Sequence, residues 1–479
     1  MNEFSSRRHF IKGLAATAIG AAAAGPMLSH AAGGDVSPVK VAEGGPTKAR
    51  NLIFMVSDGM NHGTLSAAQH WLKLREGRNS EWMTLYQDRL AVRRLTDTAA
   101  ADSLVTDSAA ASSAWGIGQR VNLGSVNCLP SGATPMPLAM LAKKAGKKAG
   151  MVTTARITHA TPAGFAANVP HRDEEDLIAE QYLERGLDVL LGGGGRHFDA
   201  SRRKDGRDLF GAYRDGGYEV VQSRVAMEAL LPSSKPLLGV FSKSHIPYWI
   251  DRQHEVGLGL ETPSLESMTR LALERLSSHP EGFVLQVEAG RVDHAGHAND
   301  PASLLFEQLE FDRCIRLVRD FAQAHPDTVV VVTTDHGTGG FMINGAEDAY
   351  HLAGPSLLRL GNCRASLERL GRLLNPEQPQ SGLVELIRDN LGVEVGPVAL
   401  ARMLEQMASR PITEAFPLEY VFCDAIRPVL HEAFLTGWTS THHTGDLVEL
   451  AMWGPGADLL PLFSENWQLH GVLRQVLSI

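Results

Sequence analysis

The stretch Asn51-Leu52-Ile53-Phe54-Met55-Val56-Ser57-Asp58-Gly59 decides the fold. A short apolar run of strand length stops at a polar cluster, and three later segments repeat the arrangement. Gly150-Met151-Val152-Thr153-Thr154 leads to His159-Ala160-Thr161-Pro162, Phe283-Val284-Leu285-Gln286-Val287 ends at Glu288, and Thr328 to Thr334 ends at Asp335-His336-Gly337. Helical stretches separate them, at Pro137 to Ala149, Asp173 to Arg185, Ser264 to Ser278 and Pro301 to Ala324. Strands that are apolar throughout, rather than at alternate positions, are buried on both faces. The expected fold is therefore α/β, with a central, mostly parallel sheet covered by helices on both faces. Such sheets bind ligands at the carboxyl ends of their strands, where the polar clusters fall.

With 479 residues, 44% of them hydrophobic and 21% charged, the chain suits one large α/β domain with an insertion, or two domains. Ser6-Arg7-Arg8-His9-Phe10-Ile11-Lys12, the apolar run Gly13 to Pro26 and the small-x-small pattern Ser29-His30-Ala31 read as a twin-arginine signal peptide over residues 1–31. The run is too short, and too rich in Ala and Gly, for a membrane anchor. The reading is a periplasmic or secreted protein with no stable membrane insertion. Twin-arginine export carries folded proteins, which suits a chain that loads metal ions before leaving. Residues 32–49 read as a flexible leader, and 50–479 as a single α/β domain whose strand pattern is interrupted by a helical insertion at about 345–436. That insertion is expected to lie over the site.

The formal net charge is −9; cleavage after Ala31 removes Glu3, Arg7, Arg8 and Lys12, a net charge of +2, and leaves −11. Nothing in that balance points to nucleic acid. Cys128, Cys314, Cys363 and Cys423 match no zinc spacing and would permit up to two disulfides after export. Gly192-Gly193-Gly194-Gly195 is not followed by Gly-Lys-Ser/Thr, so it reads as a structural turn rather than a phosphate loop.

Val105-Thr106-Asp107-Ser108-Ala109-Ala110-Ala111 sets a serine beside an aspartate just before a helix-forming run. The pair reads either as a helix cap or as a nucleophile meeting a phosphate at a helix N-terminus. Asp102-Ser103 competes with it. Candidate metal ligands also sit at the strand ends. Asp293 and His297 share a face if the segment is helical, and a loop would serve equally; Asp335-His336 and Asp58 come from other strands, and His442-His443 from beyond the insertion. Imidazole and carboxylate suit zinc, while oxygen donors such as Glu288 and Thr161 suit magnesium. Two zinc ions flanking a serine would lower the pKa of its hydroxyl and hold a leaving oxygen.

In order along the chain, Asp58-Gly59, Thr106-Asp107-Ser108-Ala109-Ala110, His159-Ala160-Thr161-Pro162-Ala163, Asp188 to Gly194, Glu288 to His297, Thr334-Asp335-His336 and His443-Thr444-Gly445 resemble the alkaline phosphatases. The resemblance implies that family's fold, with Ser108 as the phosphorylated nucleophile and Arg172 holding two phosphate oxygens. It implies two zinc ions, one on Asp293, His297 and His443 and one on Asp58, Asp335 and His336. A magnesium ion would lie on Asp58, Glu288 and Thr161. The His-Thr-Gly match favours His443 over His442, and the alanine run and Trp115 favour Ser108 over Ser103. Asp107, His159 and His294 would surround the phosphate and the third ion; His at the latter two positions is the pattern of the animal enzymes, and it puts magnesium specificity in question. The implied reaction is hydrolysis of small-molecule phosphomonoesters through a phosphoserine. Phosphodiesters or sulfate esters are the alternative substrates, and a non-catalytic phosphate- or metal-binding protein is the remaining reading. Family members are commonly dimers, which leaves a homodimer open, although no interface is legible.

Overall fold

The computed structural model describes residues 47–375, 379–410, 412–413 and 418–479. The expected signal peptide, and the expected leader up to residue 46, lie outside these residues. Fourteen strands occur in the described residues: β1 Asn51–Val56, β2 Val92–Asp97, β3 Lys148–Arg156, β4 Val189–Gly193, β5 Glu219–Val221, β6 Leu237–Val240, β7 Phe283–Glu288, β8 Thr328–Thr333, β9 Gly337–Thr338, β10 Met342–Ile343, β11 Thr436–Gly437, β12 His443–Thr444, β13 Val448–Trp453 and β14 Phe463–Glu465. Ten form one sheet in the order β14-β2-β13-β8-β1-β7-β3-β4-β6-β5. Every pairing in it is parallel except those of β13, which runs against both β8 and β2.

β1 lies between β7 and β8, with Val56 level with Glu288 on one side and Thr333 on the other. β3 continues the row, with Thr153 level with Glu288. These registers bring the polar clusters after β1, β3, β7 and β8 to one edge of the sheet. The side chains of β1 divide between two apolar clusters, Ile53 and Met55 facing one way and Leu52, Phe54 and Val56 the other, as burial on both faces requires. Phe54 lies 5.1 Å from the Trp115 ring and 6.0 Å from that of Phe165, locking the sheet to the helices Ser108–Ile117 and Ala160–Ala166.

Some boundaries differ from the sequence reading. The helix expected over Pro137 to Ala149 spans only Leu138–Lys144, because Gly146 turns with φ +84° and Lys148 already pairs with Phe283. The order begins at least by Ala49, a buried residue whose N–H donates to the Val476 carbonyl. All four cysteines are free. The insertion starts and ends on a two-stranded ribbon in which Met342 pairs with Gly437 and Ile343 with Thr436. It has no separate core: Leu357, Leu370, Phe422 and Phe434 belong to the cluster that contains Leu304 and Phe311 of helix Pro301–Ala324. Its helix Leu367–Leu373 is pinned by its first residues, where Ser366 N and Oγ donate to Asp251 and Leu367 N donates to Asp300.

Phe54→Ala removes a fully buried ring that touches two others. Urea denaturation is expected to show a loss of about 3–5 kcal/mol; a loss below about 1 kcal/mol would place the anchoring of these helices elsewhere.

Candidate metal centre and nucleophile

All ten residues of the helix Ser108–Ile117 are buried, and its run of Ala and Ser side chains allows this by keeping the helix thin. Asp107, not Ser108, is the N-cap. Its Oδ1 accepts from Ala110 N at 3.0 Å, leaving Ser108 as the first helical residue with its hydroxyl free to point into the site. The other Asp107 oxygen accepts from Gly124 N at 3.1 Å and from Arg172 Nη1 at 2.9 Å. One carboxylate thus starts the helix and aims the guanidinium.

Ser108 Oγ lies 3.2 Å from His336 Nε2. On the other side of that ring Nδ1 is 3.3 Å from Thr338 Oγ1, whose hydroxyl is committed to Asp293 Oδ1. The ring proton therefore sits on Nδ1, and the lone pair of Nε2 faces the serine. The same nitrogen is 3.2 Å from Asp335 Oδ2 and 3.8 Å from Asp58 Oδ1. Asp335 is held by Gly59 N, and Gly59 adopts φ +71° where a Cβ would come within 2.7 Å of Asp293 Cα. Only glycine lets the end of β1 approach the Asp293 helix so closely.

Asp293 and His297 lie one turn apart on the helix Arg291–Ala298, so the helical alternative holds. His297 Nε2 is 3.1 Å from His443 Nε2, and these nitrogens are 3.4 and 3.6 Å from the two Asp293 oxygens. Both rings donate from Nδ1 to carbonyls, His297 to Thr441 and His443 to Thr106. Two lone pairs facing each other at that distance need a proton or a cation between them. Burial opposes charge on His297, but the Asp293 carboxylate and the Thr441 carbonyl push it up to about 9. Asp293 itself would be raised by burial, yet the three imidazoles around it hold it well below the usual carboxylate range.

A third group joins Asp58, Glu288 and His159, each with one ligand atom within 4.8 Å of the others. Both oxygens of Asp58, both of Glu288, Asp335 Oδ2 and Thr161 Oγ1 are buried without a hydrogen-bond partner. Burial, with the neighbouring carboxylates, drives Asp58 well above its ordinary range, Glu288 up to about 7 and Asp335 up to about 6. Carboxylates stripped of water and hydrogen bonds in this way fit a set of bound cations and little else. Imidazole with carboxylate around Asp293 and His336 suits zinc, while the third group sets the oxygen donors of Asp58 and Glu288, with the unpartnered Thr161 Oγ1, against the His159 imidazole.

Every site residue expected from the sequence falls within this region. His443 faces Asp293 and His297 whereas His442 is exposed, and Asp102 is exposed beside a half-buried Ser103. Arg172 Nη2 is 3.0 Å from His159 Nε2, and the His159 and His294 rings are 5.8 Å apart. Sequence reasoning passed over Thr338, Arg156, Glu175 and His245. Arg156 and Thr158 both donate to Glu175, fixing the turn that carries His159; the one available signal was a charged residue at the end of a buried strand.

Residues 49–357 match the family model described as alkaline phosphatase. The repressible alkaline phosphatase of Saccharomyces cerevisiae is 37% identical over 324 residues, which cover 62% of this chain and 56% of the yeast protein. Alkaline phosphatase 3 of Bacillus subtilis is 30% identical over 450 residues, 90% of each chain. The crystal structure of Thermus thermophilus alkaline phosphatase superimposes with a TM-score of 0.82 at 34% identity, covering 90% of this chain and 93% of that one.

Loss of the Asp107 cap tests how the Ser108 helix is built. Asp107→Ala is expected to cost about 1–2 kcal/mol in chemical denaturation, whereas Asp107→Asn, which keeps a capping oxygen, loses less than half of that. Equal losses would mean that the Arg172 contact, not the cap, supplies the stability.

Proposed function

From the premise that this chain belongs to the alkaline phosphatase family and is a phosphatase, we propose that it hydrolyses small-molecule phosphomonoesters through a phosphoserine at Ser108. It does so after twin-arginine export, in the periplasm or outside the cell; among the described residues no helix is long and apolar enough to cross a membrane. The observation that carries the reading is the Ser108 hydroxyl 3.2 Å from His336 Nε2, where Asp58 and Asp335 also converge.

Zinc held by Asp293, His297 and His443 and by Asp58, Asp335 and His336, with magnesium on Asp58, Glu288 and Thr161, would supply Lewis acidity to the serine, the departing oxygen and the attacking water. Preference for oxygen donors at the third position has support in His159. A guanidinium only donates, so His159 Nε2 accepts from Arg172 and a neutral ring keeps its proton on Nδ1. While it holds Arg172, His159 has no lone pair left for a cation.

Arg172 is spoken for by Asp107 on Nη1 and by His159 on Nη2, and each terminal nitrogen retains a second N–H. Those two protons form a fork for two phosphate oxygens. A monoester dianion brings one more negative charge to this fork than a diester does, which is why the site favours monoesters. Ser108 Oγ, at the positive end of its helix, attacks phosphorus as the ester oxygen departs on the opposite side, towards Asp293, His297 and His443. The P–O bond to the alcohol breaks, the bond to Oγ forms, and the proton lost by the serine hydroxyl ends, through solvent, on the departing alkoxide, which leaves as the alcohol. Water entering from the side the alcohol left then displaces Oγ, its own proton restoring the serine hydroxyl as inorganic phosphate is released. Two in-line displacements give net retention at phosphorus, with Arg172 orienting the phosphoryl group in both.

Ser108→Ala is expected to abolish the acid-stable phosphoenzyme formed with a labelled monoester while the protein keeps its zinc; label persisting on another serine would sink the assignment. For the metal set, His443→Ala should lower the zinc content measured by elemental analysis and His442→Ala should leave it unchanged, and the reverse result would exchange their roles.

A further inference from the structure

The tetraglycine run Gly192–Gly195 ends β4 in a turn, with Gly194 at φ +98°. The reason for glycine at 193 is a close approach: a Cβ there would lie 2.2 Å from the Ser244 carbonyl oxygen. That contact belongs to the loop after β6. Gly194 N donates to Ser244 O at 2.7 Å, and Ile246 N donates to Thr154 O at 3.0 Å. The loop is thereby stitched to the ends of β3 and β4 with His245 between the stitches. Its ring lies 4.1 Å from that of His294 and edge-on, 5.5 Å, to that of His159. Arg156 Nη1 contacts His245 Nε2, while the same guanidinium is anchored on Glu175 at 2.6 Å. Glu175 in turn accepts from Thr158 Oγ1 at 2.7 Å, next to His159 in the chain.

We propose that His245 is a positioning residue for the phosphate side of the site: held by Arg156, it fixes the rings of His159 and His294, and through His159 the Arg172 fork. The proposal rests on the phosphatase reading above. Three imidazoles packed together, with His159 Nε2 accepting from Arg172, leave His159 one orientation that serves the fork. Arg156 can only donate, so His245 Nε2 accepts and the ring flip is set by a charged partner. His245 touches neither the serine nor the converging carboxylates around His336, and its effect is confined to how well the fork is aimed. Without it, the His294 face opens and His159 can turn away from Arg172.

The test is steady-state kinetics of the zinc- and magnesium-loaded enzyme with p-nitrophenyl phosphate, with inorganic phosphate as inhibitor, for the parent, His245→Ala and His245→Gln. Turnover and phosphate inhibition of the parent come first; their absence would count against the phosphatase reading, whereas failure confined to the variants counts only against His245. In His245→Ala, KM and the phosphate inhibition constant are expected to rise together by about tenfold, the order of what weakening one hydrogen bond to a charged group costs. Its kcat should fall by less than KM rises, with unchanged zinc content and melting temperature. His245→Gln, whose amide oxygen can still accept from Arg156, should recover most of the loss. An unchanged inhibition constant in His245→Ala, a loss that tracks zinc or melting temperature, or a Gln variant no better than Ala would overturn the proposal.

Discussion

Four carboxylates buried together are the constraint around which the rest of this molecule is arranged. Asp58, Glu288, Asp293 and Asp335 come from the ends of β1 and β7, from the helix that follows β7 and from the end of β8, and all are removed from water. Burying one unpaired carboxylate costs several kcal/mol even after relaxation, and here the nearest side chains are imidazoles rather than ammonium groups. Only a parallel sheet with adjacent central strands can gather so many acids from distant parts of the sequence onto one edge. The parallel registers of β1 with β7 and β8 hold the acids at one edge, and a one-residue slip would turn each strand's side chains to the opposite face.

Ser108 meets the same constraint from the other side. A helix that must bring Ser108 to His336 while lying wholly inside the protein has little room for side chains, and Ser108–Ile117 is built from Ala, Ser, Gly, Trp and Ile. Trp115 is the large exception; it is the residue that reaches Phe54 of β1. Asp107 then carries three tasks with two oxygens: helix cap, contact to Gly124 N and anchor for Arg172. Because one carboxylate holds both the Ser108 helix and the Arg172 guanidinium, a single side chain sets where the two lie relative to each other.

Much of this was legible in the sequence, since strands buried on both faces have a plain signature and acids or histidines placed at their ends are few. The choice between Ser108 and Ser103, and between His443 and His442, came from the resemblance rather than from physical reasoning; the structure places Ser108 and His443 inward for reasons of helix capping and of the His443 Nδ1 bond to the Thr106 carbonyl. Three things were not legible. The reversed direction of β13 leaves no mark in its composition. Which of Asp107 and Ser108 caps the helix is not marked either, because either side chain can do it. Arg156, Glu175 and His245 are brought together by a close approach of two loops, and the glycines that permit it carry no mark of what they admit.

The raised carboxyls also bear on when cations must arrive. Glu288 titrates near 7 and Asp335 near 6 in the folded chain, both lifted first by burial, while in an unfolded chain such groups titrate near 4. Between those values the folded state binds more protons than the unfolded one, so stability falls as pH rises from about 4, and the full penalty is present above the folded values. At neutral pH the cation-free fold therefore bears the repulsion among its acids. Cations bound there displace the remaining protons and remove that repulsion, and binding to the folded state alone adds stability by mass action. A chain with this site is most secure when folding and loading occur together, where metal supply can be controlled. Export of the already folded protein, the proposed route, is the order of events that the buried carboxylates favour.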